Sequence, residues 1–295
     1  MPMKLSLIIP CKDKNDPKLQ ELLASIEAQD FPKDEMETLV ITDGTSESAK
    51  AIGIRRAKGE IIGILASDNE LTFIRTLSES YDNAMASGAT YPAWYAYYRS
   101  DDVLNRYFAL IGGNDPLSYY MEKNDRFNYF EKLPASRPEG KAFGDNGFFV
   151  RKNLIEKTDL DNYYHVDNSN EIGFVPYPLD CDIWHKTGGN IFKFFAKRYR
   201  YGLQHAFNKN RRWHLVDFKN PRDIWKLLLF CLTTMTIIQP FIISIRGYSK
   251  LKDVAWFIHP IACLLTLFTY GLLVLHLGMV RLYQSLFVPT AAQRV

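Results

Sequence analysis

Two long apolar stretches near the C-terminal end, Ile224 to Ile245 and Ala255 to Val280, constrain this chain more than any other feature. At 1.5 Å per residue, each is long enough to cross a hydrocarbon core of about 30 Å. Such segments must be buried in a large core or given to lipid, and two in succession predict a transmembrane helical hairpin over residues 223–282. Lys226 near one end can snorkel to the interface. Gln239 and His276 fall inside the spans and are expected to face the partner helix. The short loop Arg246 to Asp253 would return the chain to its starting side.

Basic residues crowd the stretch just before the first span: Lys193, Lys197, Arg198, Arg200, Lys209, Arg211, Arg212, Lys219, Arg222 and Lys226. That placement fits an anionic membrane surface and puts the starting side in the cytoplasm. Arg246, Lys250 and Lys252 in the connecting loop run against this orientation. Upstream, Ile191, Phe192, Phe194, Phe195 and Tyr199 alternate with lysines and arginines. This is the pattern of a helix lying on the membrane, or of an ordinary surface helix docked on a domain. The expected organisation is an α/β domain over residues 1–205, a basic juxtamembrane linker over 206–222, the two spans over 223–282, and a tail over 283–295.

The formal net charge of +3 argues against nucleic acid as a partner. Cys11, Cys181, Cys231 and Cys263 form no C-x-x-C pair, so neither a zinc knuckle nor a disulfide framework is indicated, and a reducing compartment fits. Met1 leads directly into the strand-like Leu5 to Ile9 with no signal-peptide pattern, so the first domain is expected in the cytoplasm. No internal repeat or low-complexity tract is present.

The first seventy residues alternate short apolar runs with longer mixed segments, as βαβ units do. Strands are predicted over Leu5–Ile9, Thr38–Thr42 and Ile61–Leu65, each a continuous apolar run suited to a sheet covered on both faces. Leu19, Leu22, Leu23 and Ile26 recur at helical spacing, and Lys58-Gly59 follows a second helix ending near Ala57. Tyr91 to Tyr98 reads as a further strand, Val103 to Ile111 as a helix, and Phe148–Val150 and Gly173–Val175 as short strands. The segment from Asn114 to Gly140 is polar and turn-rich and receives no assignment.

In a doubly wound sheet ligands sit beyond the carboxyl ends of the strands. Asp13 follows the first predicted strand, Asp43 the second, and Asp68-Asn69-Glu70 the third. A single aspartate after a strand is usually a helix cap, but three in succession point to one acidic rim. Oxygen donors in a D-x-E arrangement suit Mg²⁺ or Mn²⁺, which bind through one or two carboxylates together with substrate phosphates. Asp101-Asp102, by contrast, precedes a predicted helix and reads as its cap. The aromatic run Tyr91 to Tyr98 either lines a sugar pocket or forms sheet core, and core is the expectation.

These segments, Leu5-Ser-Leu-Ile-Ile-Pro10, Ile41-Thr-Asp-Gly-Thr45, Ala49-Lys-Ala-Ile-Gly-Ile54 and Ala57-Lys-Gly-Glu60 leading to Asp68-Asn-Glu70, together resemble family 2 glycosyltransferases over residues 4 to 70. The resemblance implies a GT-A, Rossmann-like nucleotide-sugar-binding domain, inversion at the anomeric carbon, and a D-x-D element holding a divalent metal, Mn²⁺ or Mg²⁺. It implies that Pro10, Asp13, Asp43, Lys50 and Asp68 seat the nucleotide, with Asp43 reading the base. Asp68 and Glu70 take the D-x-D role, and His185 resembles an additional metal ligand, with a structural histidine as the alternative. Gly144 to Arg151 resembles the acceptor-side turn and strand. Asp167 in His165-Val-Asp-Asn168 falls where the catalytic base sits, and Asp161, Glu171, Asp180 and Asp182 stand as alternatives.

The chain departs from that family at Lys12, where no aromatic is present to stack on the base, at Ala51, and at Val166 beside Asp167. Gln204 and Arg211-Arg212-Trp213 have the wrong spacing for a polymer synthase. The implied partners are a nucleotide-diphosphate sugar, a lipid-linked or glycan acceptor and the membrane. Two rivals remain. One is a catalytically silent membrane scaffold. The other is a sugar nucleotidyltransferase, whose glycine-rich stretch after the first strand is missing here.

Overall fold

In the first strand, β1 (Leu5–Pro10), successive side chains point to opposite faces, and both faces are apolar. Leu5, Leu7 and Ile9 enter one core while Ile8 enters another. This is why the run reads as continuously hydrophobic rather than alternating. The computed structural model describes residues 2–132, 146–158, 160, 176–187, 189–207 and 215–287. They divide into two units, Met1–Gly188 with Arg212–Asp217, and Gly189–Arg211 with Phe218–Val295.

In the first unit, β1 is followed by α1 (Pro17–Glu27), β2 (Met36–Ile41), α2 (Ser46–Arg56), β3 (Ile61–Ile64), β4 (Asn69–Leu71) and α3 (Thr76–Ser87). Then come β5 (Ala89–Tyr95), α4 (Val103–Ile111), α5 (Pro116–Tyr120), β6 (Phe148–Arg151), α6 (Lys152–Ile155) and β7 (Tyr177–His185). The helices start where local chemistry satisfies free backbone N–H groups. Asp16 caps α1 ahead of Pro17, Thr45 and Ser48 form a reciprocal capping box on α2, and Asp102 accepts from the N–H groups of Leu104 and Asn105. Asp102 is therefore the helix cap its position predicted.

The seven strands form one mixed sheet in the order β2-β1-β3-β6-β5-β7-β4. β2, β1 and β3 run parallel, β6 is antiparallel to both β3 and β5, β5 and β7 are parallel, and β4 is antiparallel to β7. α1 and α3 cover one face through Leu19, Leu22, Ile26, Leu77 and Ala84, and α2 covers the other through Ala49 and Ile54. At Gly59 a Cβ atom would lie 2.4 Å from the Ser6 nitrogen, so the chain entering β3 can approach β1 only without a side chain. The three predicted N-terminal strands are present. The aromatic strand begins earlier than expected and carries an irregularity between Pro92 and Trp94. The strand expected at Gly173–Val175 lies outside the described residues.

The second unit contains α7 (Ile191–Phe207), α8 (Pro221–Thr236), α9 (Ile238–Lys250), a 3-10 turn (Val254–Phe257) and α10 (Ile258–Phe287). Here the expected hairpin of two continuous spans needs correction, because the first is broken: α8 and α9 meet at an angle of 84°. The physical cause is Pro240. It offers no N–H to the Thr236 carbonyl and its ring crowds that oxygen, so the helix cannot run through. Ile237 at the break takes up a φ of 60°. Among the described residues one helix, Val254–Val280, is long and apolar enough to cross a membrane.

α9 turns its small residues inward. Ser244 Oγ donates to the Trp256 carbonyl at 2.7 Å, and a Cβ on Gly247 would come within 2.2 Å of the Trp256 ring. The expectation that His276 faces the other half of the hairpin is also corrected: it pairs with Tyr199 of α7, Oη to Nδ1 at 2.7 Å. Gln239 Oε1 is buried with no hydrogen-bond partner among the described residues.

Candidate functional site at the carboxyl ends of the strands

β1, β2 and β3 run parallel, so their carboxyl ends share one edge of the sheet, and the residues following them are placed on that rim. Pro10 closes β1 opposite Ile41 of β2. Asp13 and Asp43 are exposed; Asp13 Oδ1 accepts from the Asn15 N–H at 2.9 Å. Lys50, expected to help seat the nucleotide, is fully buried in α2. Asp167 lies outside the described residues, as do Asp161 and Glu171.

Asp68 stands in the tight turn between β3 and β4. The turn is held by Asn69, whose side-chain oxygen accepts from the Ala66 N–H at 2.9 Å. That bond orients the amide, so its NH₂ group faces Asn146 Oδ1 at 3.0 Å and His185 Nδ1 at 3.1 Å. Because an NH₂ group can only donate, His185 Nδ1 is assigned as the acceptor and its proton to Nε2. β4 and β7 pair Asn69 with His185, which brings the histidine from a distant part of the chain to 3.4 Å from Asp68 Oδ1.

Glu70 turns elsewhere. Its carboxylate forms an ion pair with Lys186, which also meets Glu21 at 2.5 Å. Burial alone would lower the Lys186 pKa, but hydrogen bonds to Glu21 and Glu70 outweigh it and raise the value. The ammonium also sits 4.2 Å from the Trp184 ring centroid, and Trp184 Nε1 donates to Asp101 Oδ2 at 2.7 Å.

A metal would thus find two facing donors, Asp68 Oδ1 and His185 Nδ1. Two neighbouring ligands about 2.1 Å from a six-coordinate ion lie about 3 Å apart, close to the spacing seen. An ion there competes with Asn69 for the imidazole lone pair, and Glu70 reaches it only by leaving Lys186. No group of three or more His, Cys, Asp or Glu residues is disposed to hold a metal among the described residues.

Behind Asp68 and His185 lies a polar chain that sequence reasoning missed. Asn146 Nδ2 donates to Tyr95 Oη at 2.7 Å, and Tyr95 donates to Asp125 Oδ2 at 2.5 Å. Tyr95 also stacks on His185 with centroids 5.5 Å apart. Arg126, fully buried, donates through Nη1 to the Asp125 carbonyl at 2.6 Å and through Nη2 to the Asn146 carbonyl. Its guanidinium lies 5.3 and 5.4 Å from the centroids of Tyr91 and Tyr95. The only sequence signal was the aromatic run. Asp125 and Arg126 fall in the segment that received no assignment.

Burial, reinforced by the Asp125 carboxylate, raises the Tyr95 pKa well above 10.0, with Arg126 opposing; Tyr91 shifts the same way, mainly through burial. A raised tyrosine pKa keeps the proton in the folded state after the unfolded chain has lost its own. The resulting stability is complete below the ordinary value and declines as pH rises past it. Thermal unfolding from about pH 9 to about pH 11 should show this alkaline decline, and Tyr95→Phe should flatten it while lowering stability at neutral pH.

The fold and site define a mixed α/β sheet with acidic groups after its three adjacent parallel strands. No family model matches the chain and no curated protein matches it. Among solved structures it is similar to the mannosyltransferase PcManGT from Pyrobaculum calidifontis in complex with GDP-Man and Mn²⁺. That match has 14% identity and a TM-score of 0.47, covering 91% of this chain and 88% of that chain. It is also similar to S. aureus TarS 1–349 in complex with UDP, at 14% identity and a TM-score of 0.45, covering 92% and 90% of the two chains. The same TarS fragment in complex with UDP-GlcNAc gives 14% identity and a TM-score of 0.42, covering 88% and 79%. At these identities and scores the likenesses carry no weight for the activity of this chain.

Proposed function

We propose that the chain is a membrane-anchored glycosyltransferase that moves a sugar from a nucleotide-diphosphate donor to an acceptor hydroxyl with inversion. The observation that carries this reading is the approach of Asp68 Oδ1 and His185 Nδ1 to 3.4 Å at the carboxyl end of β3. The family 2 resemblance over residues 4 to 70 supplies the chemistry. Asp43 and Asp13 on the rim hold the nucleoside, and Pro10 shapes the end of β1. Asp68 and His185 are the residues that would hold Mn²⁺ or Mg²⁺, with Glu70 joining if it exchanges Lys186. When bound, the ion supplies counter-charge to the departing diphosphate. Asp167 takes the acceptor proton, a task for a carboxylate within hydrogen-bond reach of the attacking oxygen. The second unit holds the site at the cytoplasmic face of the membrane, where a lipid-linked or glycan acceptor reaches it.

The pairing of Glu70 with Lys186 favours a second reading, a silent scaffold that kept the fold. A thermal-shift panel of UDP-, GDP- and dTDP-sugars with and without Mn²⁺ separates the two. An enzyme should gain about 2.7 kcal/mol at a hundredfold excess over Kd, from one donor and only with metal. A scaffold should show no shift with any donor.

A further inference from the structure

We infer that α9 lies in the plane of the membrane, in the leaflet opposite the one that α7 faces, and that its outward apolar side is covered by lipid. This rests on the membrane part of the function proposed above. The positions of α7 and α9 along α10 carry the inference. α7 meets the second half of α10, with Gly202 against Leu273 and Tyr199 bonded to His276. α9 meets the 3-10 turn that precedes α10, through Ser244 and Gly247 on Trp256. From Ile258 to His276 the helix rises about 27 Å, close to the thickness of a hydrocarbon core. α7 exposes Lys193, Lys197 and Arg200, which suits the headgroup region and leaves α9 a bilayer's thickness away.

The bend has the matching geometry. A helix that crosses and a helix that lies flat meet near a right angle, and α8 and α9 meet at 84°. α8 has 16 residues, about 24 Å, short of the full core. An in-plane helix sits about 5–10 Å below the surface, which makes up the difference.

α9 also has the required faces. Arg246 and Lys250 share one stripe at i, i+4, and Phe241 and Tyr248 lie opposite, both against Phe257 with centroids 6.3 and 5.5 Å away. Pro240, Ser244 and Gly247 point inward, while Ile238, Ile242 and Ile245 are exposed on the remaining flank. No Asp, Glu, Lys or Arg occurs between Lys226 and Arg246. The occupant is therefore a lipid leaflet, its acyl chains on the isoleucine flank and its headgroup phosphates at Arg246, Lys250 and Lys252.

The test uses the full chain in intact cells, an impermeant maleimide, and the wild type as the blank for its own cysteines. Lys250→Cys on the charged stripe of α9 should label fully from outside, and Lys197→Cys on α7 only after permeabilisation. Labelling of Lys250→Cys and Lys197→Cys on the same side, both from outside or both only after permeabilisation, would place α9 on the side of α7 and overturn the inference, as would no labelling of Lys250→Cys in either condition. Labelling of Lys197→Cys from outside with Lys250→Cys only after permeabilisation keeps α9 across from α7 but overturns the cytoplasmic placement proposed above. Recovery of the protein in the soluble fraction after alkaline carbonate overturns the membrane reading itself.

Discussion

Asp68→Asn should lower kcat/KM for sugar transfer by about 10²- to 10³-fold, roughly 3–4 kcal/mol of lost transition-state stabilisation. The substitution keeps the side-chain volume and removes the charge that, with His185, faces the proposed ion. Its effect on folding should be small, because the Asp68 side chain is 27% exposed and stands at a turn held by Asn69 rather than by itself. Transfer assays combined with thermal unfolding distinguish the two effects. Asp102→Ala is the control: removing the cap of α4 should cost about 1 kcal/mol of stability and leave transfer unchanged. If Asp68→Asn transfers sugar at the wild-type rate, the proposed role of this residue is wrong.

Arg126→Leu should destabilise the first unit by about 3–5 kcal/mol, enough to unfold much of it near physiological temperature. The guanidinium is fully buried between Tyr91 and Tyr95 and donates to the carbonyls of Asp125 and Asn146. Leucine leaves both carbonyls without those donors and a void beside two aromatic rings. Arg126→Lys retains the charge but not the planar fork, and should recover only part of the loss. Denaturant unfolding measures both. A change of less than about 1 kcal/mol for Arg126→Leu would show that the buried cation is not a structural centre.

Much of this architecture was legible in local sequence. Continuous apolar runs predicted β1, β2 and β3. Asp102 announced the start of α4, and the aspartates after successive strands indicated the rim. These signals are local: strand burial shows in the residues of the strand itself, and a cap lies next to the helix it starts. The first apolar stretch misled because composition measures length and hydrophobicity but not continuity. Its single proline acts through the carbonyl four residues earlier and turns one expected span into two helices at 84°.

The amino-acid order alone determined that the chain begins with parallel βαβ units and ends in segments too apolar for an ordinary surface, because side-chain periodicity and hydrophobicity are properties of neighbouring residues. Only the tertiary structure decided which polar groups meet. His185 reaches Asp68 through β4–β7 pairing, Lys186 takes Glu70, and Arg126 enters a core made by β5. Such contacts join residues far apart in the chain. They depend on strand order and register, which the sheet fixes as a whole and no short stretch of sequence encodes.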